Sequence, residues 1–347
     1  MYVISAVDAI SPAIQRTRTF LFRPFRWGTF LKLCLVALIT EGFGGNFNFS
    51  MPGSHSSSHA QIVYSPIILT PERVAAIAAG AFALIVLGFV LFYLITRLRF
   101  AYFHCLIHNT RQIRAGWQLY RTQAVRFFWL NVVVGLCFLL LVALIALPFV
   151  AGFWQLFHRM PMGSHPDLGS LLSLVLPLVP IILLIAIAAV AADLILRDFM
   201  LPHFALDNAT AGEAWAAAWT RIKIEKGPFF IYALLRVILP IIAIVALFLV
   251  LIIPGLIVVA AFAIIEVGIH SALAGATGAA AVARILLQVT AGLVAVGIAL
   301  FAGLCLGGPL ATAIREYALL FYGGRYQRLG EILFPPPDVS PNAQGTA

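Results

Sequence analysis

Three of the eight histidines and one of the four cysteines in this chain have positions that could suggest metal chemistry. His104 and His108 are four residues apart in FHCLIH, which puts both on one face if the segment is helical, and Cys105 lies between them. His203 holds a comparable position in a later stretch. No carboxylate completes a ligand set, and histidines near an interface more commonly bond to water or headgroups. We therefore expect no metal site.

Two other groups of ionisable residues have helical spacing. Asp193 lies in the apolar stretch AVAADLILRD, where an ionisable side chain is a candidate for function, although it could simply pair with Arg197 one turn later. Glu266 and His270 are also four residues apart, which allows a local hydrogen bond or a shared ligand. We expect both groups to be structural.

The chain lacks recognisable enzyme motifs. Its Ser/His-rich tract, SHSSSH at 54–59, lies in a Gly- and Ser-rich stretch that cannot hold a catalytic triad in place. P-loop spacing is absent, and so is a GxGxxG motif after a strand. We predict a protein that is not an enzyme, with no catalytic residue and no bound cofactor.

Composition indicates that lipid is the main solvent of this chain. Of its 347 residues, 62% are hydrophobic and 10% are charged, and the mean hydropathy is +1.03. The apolar blocks are long enough for helices that cross a bilayer, and they lack the alternating polarity of β-barrel strands. We predict an all-α polytopic transmembrane bundle. The net charge of +9 comes from residues at the ends of these blocks, so we expect anionic lipid headgroups as partners and no nucleic acid.

The apolar blocks predict six spans within a single membrane domain over residues 1–334. A polar extracytoplasmic loop is predicted at 41–70 and a disordered tail at 335–347. The predicted spans are 27–40, 71–96, 127–148, 171–196, 229–253 and 283–306. We expect Pro254-Gly255 to end the fifth span, which leaves 256–270 re-entrant or interfacial, and Gly307-Gly308-Pro309 to kink or break the sixth.

The distribution of Lys and Arg predicts the orientation. Basic residues are concentrated around 16–26, 97–126, 197–226 and 315–328, whereas the alternate flanks carry Arg73, Arg159 and Arg284. Because basic flanks stay in the cytoplasm, both termini are predicted to be cytoplasmic. The expected location is a bacterial cytoplasmic membrane.

The chain also shows a threefold repeat of features. An amphipathic segment, an aromatic entry point and a span recur when Phe30, Phe128 and Phe230 are aligned, and two of the spans that follow exit through a segment ending in Asn109 or Asn208. Each repeat would be an interfacial helix followed by a two-span hairpin. Basic and aromatic residues mark the interfaces of any multi-spanning protein, so this pattern could also arise without a repeat.

The segment ALDNATAGEAWAAAWTRIKIEKGPFFIYALLRVIL resembles an element of uncharacterised bacterial membrane families. It is similar to the membrane domain found beside some glycerophosphoryl diester phosphodiesterases. The residues that carry the resemblance are Asp207, Glu213, Trp215, Arg221, Lys223 and Phe229. The resemblance implies a six-helix membrane domain. Hydrolase activity is not implied, because no soluble barrel with metal-binding carboxylates is attached.

These features favour a membrane scaffold or accessory protein that organises lipid or a partner complex, with a protein partner or a homo-oligomer as possible assemblies. The alternative is a transporter or channel for a small or amphiphilic solute, which would use Asp193, a Gly-rich sixth span, and helices broken at Pro148, Pro240 and Pro254. A lipid-modifying enzyme would need His104, His108 and His203 to converge.

Overall fold

The computed structural model describes residues 4–42, 71–158, 168–272 and 278–335. Helices dominate these residues, and no strand occurs among them. The predicted all-α class is therefore confirmed. The predicted polar loop at 41–70 and the predicted tail at 335–347 lie almost entirely outside the described residues.

The described residues form twelve α-helices, and short π-helical turns continue two of them. The π-helical turns are Leu38–Gly42, which follows α2, and Ile195–Met200, which joins α7 to α8. The helices are α1 Ile10–Phe22, α2 Trp27–Ala37, α3 Pro71–Ile107, α4 Ile113–Leu119, α5 Arg121–His158, α6 Leu168–Val175, α7 Leu178–Leu194, α8 Leu201–Leu206, α9 Ala211–Ile224, α10 Lys226–Ala272, α11 Ala279–Gly323 and α12 Gln327–Leu333.

Five helical segments of the described chain are long and apolar enough to cross a membrane, as expected of a multi-pass membrane protein. They are Val74–Ile107, Arg121–Gln155, Leu178–Leu206, Lys226–Ala272 and Ala279–Gly323. The predicted first span, 27–40, corresponds to α2 and its π-helical turn, which together extend about 24 Å at 1.5 Å per residue. That length is below the roughly 30 Å of a hydrocarbon core.

The fifth predicted span is longer than expected. The structure shows one helix, α10, running for 47 residues through Pro240 and Pro254, so the predicted break at Pro254-Gly255 is wrong and 256–270 continues the same helix. A proline costs one backbone hydrogen bond, whereas a broken helix in hydrocarbon would leave several polar groups unpaired. For the same reason α11 continues through Gly307-Gly308-Pro309.

The chain divides into two compact units. The first unit comprises Met1–Glu41, Cys105–Arg111 and Ala216–Ala347, and the second comprises Gly42–His104 and Gln112–Trp215. The single domain over 1–334 stays a prediction.

In the first unit, α10 and α11 form an antiparallel hairpin. The ring of Tyr232 stacks on Tyr317 at 5.3 Å and on Phe321 at 4.3 Å, near the start of α10 and the end of α11. At the other end of the hairpin, Gln288 Nε2 donates a hydrogen bond to Glu266 Oε1 at 2.6 Å. These contacts fix the register of the two longest helices.

Helix α2 packs on α11 in the same sense. Along the two helices in order, Trp27 lies against Phe301, Cys34 against Gly308, and Glu41 against Arg315. Six alternating spans would give the first and the sixth opposite senses. The parallel packing of α2 on α11 therefore differs from the predicted alternation, and the contacts along α11 hold α2 in this direction.

In the second unit, aromatic side chains join the end of α3, the start of α5 and α8. The ring of Phe127 meets Phe100 at 5.5 Å and Phe204 at 5.3 Å, both edge to face. Gly116 on α4 packs directly on α3, since a Cβ added there would lie 2.8 Å from Ala101 Cα and from His104 Cβ. This glycine permits the close approach of the two helices.

The order of helices follows the predicted repeat. In the second and third repeats a short helix precedes two longer ones, α4 before α5 and α7 and α9 before α10 and α11. In the first repeat α1, with 13 residues, is followed by the 11-residue α2 and then by the long α3. The aligned residues Asn109 and Asn208 both have left-handed backbones, with φ of 52° and 50°. Asparagine tolerates this conformation better than most residues, so both act as helix terminators.

Candidate functional site

A buried carboxylate joins three segments of the first unit. Glu316 on α11 is fully buried, and its Oε2 lies 3.1 Å from Arg16 Nε on α1. The same guanidinium donates to the carbonyl oxygens of Leu106, at 2.7 Å, and Ile107 at the end of α3. Since a buried carboxylate needs a counter-charge, this pair holds α1 against α11.

A second carboxylate in this unit lies between two arginines. Glu41, at the end of α2, is 3.4 Å from Arg236 Nη2 on α10 and 3.7 Å from Arg315 Nε on α11. Arg315 is only 3% exposed. The three side chains link the π-helical turn after α2 with α10 and α11.

Arg325 makes several contacts at the same end of the first unit. Its guanidinium donates to the Glu225 carboxylate at 2.7 Å and to the carbonyl oxygens of Ile4 and Phe321, and it lies 4.0 Å from the centroid of the Phe321 ring. Arg221 in turn donates to the Arg325 carbonyl oxygen. The basic residues predicted to mark the cytoplasmic flanks are thus also structural in this unit.

An open cleft of about 490 Å³ lies beside the Arg16 pair. Its lining residues are Arg16, Thr19, Ile107, His108, Asn109, Ile332 and Leu333. The lining combines a partly buried guanidinium with aliphatic side chains.

The second unit contains its own charged cluster around Asp193. Arg197 Nη1 donates to Asp193 Oδ2 at 3.0 Å, which is the structural pair that the spacing allows. Arg99, Arg197 and Asp198 are buried, with exposed fractions of 7%, 4% and 2%. The π-helical turn over Ile195–Met200 lies in this cluster. It accommodates one extra residue between the aligned Arg197 and Asn208, compared with Arg99 and Asn109.

The predicted histidines do not form one group. His203 Nδ1 lies 3.0 Å from Asp207 Oδ2, and His104 packs edge to face on Tyr120, where burial raises the pKa of the phenol. Helix α3 ends at Ile107, so His108 lies beyond it and lines the cleft of the other unit. Among the described residues, no three His, Cys, Asp or Glu side chains are placed to hold a metal ion.

Glu266 makes a different contact from the local one with His270 that their spacing suggests. Glu266 accepts a hydrogen bond from Gln288 on the neighbouring helix α11, and His270 is exposed near the end of α10. The carboxylate therefore links two helices instead of stabilising a single turn.

The carboxylates Glu41 and Glu316, which both pair with arginines, were not among the predicted site residues. One signal was available: each outgoing span carries an arginine at a matching position, in LRF, LRD and IRE. We assigned these arginines to the cytoplasmic flanks, and the structure shows that Arg99, Arg197 and Arg315 are all buried. A buried arginine requires acceptors, and acidic residues nearby in the fold provide them.

The arrangement of the described residues is that of a membrane protein whose buried charges sit beside long apolar helices, and comparison with known sequences gives its family. The chain belongs to a family of unknown function, DUF7544. The family's sequence model matches residues 4–332. No curated protein and no solved structure matches the chain. Its similarity to the phosphodiesterase membrane domain stays a prediction.

Proposed function

We propose that this DUF7544 member is a non-enzymatic scaffold of the bacterial cytoplasmic membrane that organises anionic lipid or a partner complex. Both termini would lie in the cytoplasm, where the basic flanks meet anionic headgroups. A homo-oligomer is one assembly that such a scaffold could form.

One observation carries this proposal: the ionisable groups near the spans make structural pairs, while the apolar parts of the spans face outward. Asp193 pairs with Arg197, Glu266 with Gln288, and Glu316 with Arg16. In each of the five candidate spans, the most apolar stretch contains no buried residue. Such faces suit contact with lipid or with another membrane protein.

The transporter alternative has less support. Discontinuous helices at Pro148, Pro240 and Pro254 were its main structural expectation, and both α5 and α10 run through these prolines without a break. The lipid-enzyme alternative needed three converging histidines. His104 and His203 instead contact Tyr120 and Asp207 within the second unit.

Native mass spectrometry of the detergent-purified protein tests the proposal. The expected result is retention of anionic phospholipid, or of a co-purifying protein, at defined stoichiometry. Retention of one small solute or metal ion in place of lipid would contradict the scaffold function.

The variant Asp193→Asn separates the two functions. Because Arg197 would lose its ionic partner, we expect a lower melting temperature with lipid retention unchanged. Glu72→Gln, which neutralises an exposed carboxylate at the start of α3, is the control and should alter neither property. Loss of a proton- or ion-linked transport activity in the folded Asp193→Asn protein would favour the transporter.

A further inference from the structure

The turn between α1 and α2 exposes aromatic and basic side chains together. Residues 22–27, called the tip here, have the sequence FRPFRW and are all exposed. The exposed fractions are 42% for Phe22, 42% for Phe25 and 59% for Trp27. Exposure of three large aromatic rings next to two arginines is unfavourable in water but typical of a bilayer surface.

The tip is held in one shape by its own contacts and by Arg111. The Phe25 ring lies 4.9 Å from Trp27 and 5.6 Å from the buried Phe30. The Arg111 guanidinium donates to the carbonyl oxygens of Phe20, at 2.6 Å, and of Arg23 and Pro24. A turn fixed in this way loses little conformational entropy when it binds a ligand.

The tip is adjacent to the lipid-facing surface of α11. Trp27 stacks on Phe301 at a centroid distance of 6.5 Å. Large apolar side chains of α11 are exposed from Val282 to Phe301, and beyond Gly308 the helix becomes buried. Phe301 therefore lies between the exposed apolar part and the buried part of α11, and Trp27 places the tip beside this boundary.

We propose that the tip binds the headgroups of anionic phospholipids. Phe25 and Trp27 occupy the boundary between headgroups and acyl chains, where amphipathic aromatic rings are favoured, and Arg23 and Arg26 contact the phosphates. This inference rests on the proposed lipid-organising function and assigns it a surface.

The first test compares lipid binding by two double variants of the full-length protein. Native mass spectrometry would follow titration with phosphatidylglycerol or phosphatidylcholine. Removal of the tip charges in Arg23→Ala/Arg26→Ala should weaken phosphatidylglycerol binding about 10- to 30-fold and leave phosphatidylcholine binding unchanged. The control, Arg18→Ala/Arg114→Ala, removes the same charge from exposed positions of the basic flanks outside the tip and should weaken phosphatidylglycerol binding clearly less than the tip variant.

The second test measures the depth of the tip. Single cysteines would be placed by Phe25→Cys, or by Ser11→Cys on α1 as control, in a protein whose four native cysteines are alanine. After labelling with an environment-sensitive dye and reconstitution into nanodiscs, nitroxides near the lipid headgroup should quench the dye at position 25 and not at position 11. Quenching at position 25 by a water-soluble quencher alone would overturn the proposal.

The outcomes distinguish this inference from the proposed function. Equal effects of the two arginine pairs, in a protein that still prefers phosphatidylglycerol, would refute the tip as the binding surface and leave the scaffold function standing. If the unmodified protein shows no preference between the two lipids, the lipid-organising function itself fails.

Discussion

Arg16 and Glu316 show how a buried charge can be tolerated in a membrane protein. The carboxylate is fully buried, whereas about a fifth of the Arg16 side chain, 22%, is exposed. Desolvation of the acid is costly, and the attraction of a guanidinium at 3.1 Å offsets much of that cost. Arginine suits this position because its several donors also reach the carbonyl oxygens of Leu106 and Ile107.

Removal of one partner should therefore cost more than removal of both. We expect Arg16→Ala to destabilise the protein by about 2–3 kcal/mol, because Glu316 would be left buried without its counter-charge. Adding Glu316→Gln should recover part of that loss. Thermal unfolding of the two single variants and the double variant in detergent measures the coupling.

Arg18→Ala is the matched control for this cycle. Arg18 lies on the same helix and is exposed, so its loss should change stability by less than about 0.5 kcal/mol. Additive effects of Arg16→Ala and Glu316→Gln would mean that the two side chains do not stabilise each other.

At the scale of the elements, helix ends and helix contacts depend on single residues. Thr210 and Glu213 form a capping box at the start of α9: Thr210 N–H donates to Glu213 Oε2 at 2.8 Å, and Glu213 N–H donates to Thr210 Oγ1 at 3.4 Å. The Asn residues at 109 and 208 end their helices in the same local manner. Such signals involve neighbouring residues and do not require the rest of the fold.

The capping box predicts a pH dependence for α9. The backbone N–H of Thr210 lowers the pKa of Glu213, so the folded state favours the ionised carboxylate. Its stabilisation is complete above the ordinary pKa of about 4.3 and is lost as the pH falls through the lowered value in the folded protein. Glu213→Gln should therefore reduce the melting temperature at neutral pH but not at acidic pH.

Thr210→Ala provides the check on this mechanism. If the box is responsible, Thr210→Ala and Glu213→Gln together should destabilise the protein less than the sum of the two single changes. A melting-temperature difference between Glu213→Gln and the unmodified protein that stays constant from pH 7 to about pH 3 would exclude the ionised box.

Packing of α2 on α11 depends on Gly308. A Cβ added at this position would meet Cys34, with the Sγ atom at 2.6 Å, so the helices would have to separate. We expect Gly308→Ala to destabilise the first unit by about 1–3 kcal/mol, which a thermal unfolding experiment would detect. Gly303→Ala on the same helix is the control, since nothing lies within 4 Å of its added Cβ. Equal melting temperatures for the two variants would contradict the contact.

At the scale of the whole molecule, the chain combines long apolar helices with compact, charge-containing ends. Helices α10 and α11 run for 47 and 45 residues, about 70 Å each, so they extend beyond a 30 Å hydrocarbon core. The buried pairs of the first unit lie where these two helices meet α1 and α2. Their aromatic and ionic contacts bury many residues at the end of α11, between Gly308 and Gly323.

The orientation of this hairpin can be measured by thiol labelling. The variants Gly227→Cys and Ala280→Cys would each provide a single cysteine for labelling. Gly227 lies near the start of α10 and Ala280 near the start of α11, so the two exposed positions are at opposite ends of the antiparallel pair. We expect position 227 to be labelled from the cytoplasm and position 280 from the other side. A cysteine at Arg328, beyond α11, should match position 227. Labelling of 227 and 280 from the same side would exclude the hairpin as two spans.

Much of the architecture could be predicted from local patterns. The apolar blocks determine the all-α class and the positions of the later spans, because a helix in lipid satisfies its own backbone groups. The repeated order of aromatic and Asn residues predicts short helices before long ones. The ends of the spans were less predictable. Helix α10 continues past Pro254 because the apolar turns on either side stabilise it, and a rule that ends helices at proline leaves out this stabilisation.

The sequence by itself therefore determined that this is a helical membrane protein, since hydropathy and helical period are local properties. Only the tertiary structure decided that Glu316 pairs with Arg16, that Glu41 lies between Arg236 and Arg315, and that the predicted first span packs on α11 in the same sense. These contacts join residues that are far apart in the sequence. Their energies depend on distance and burial, which no local pattern of residues encodes.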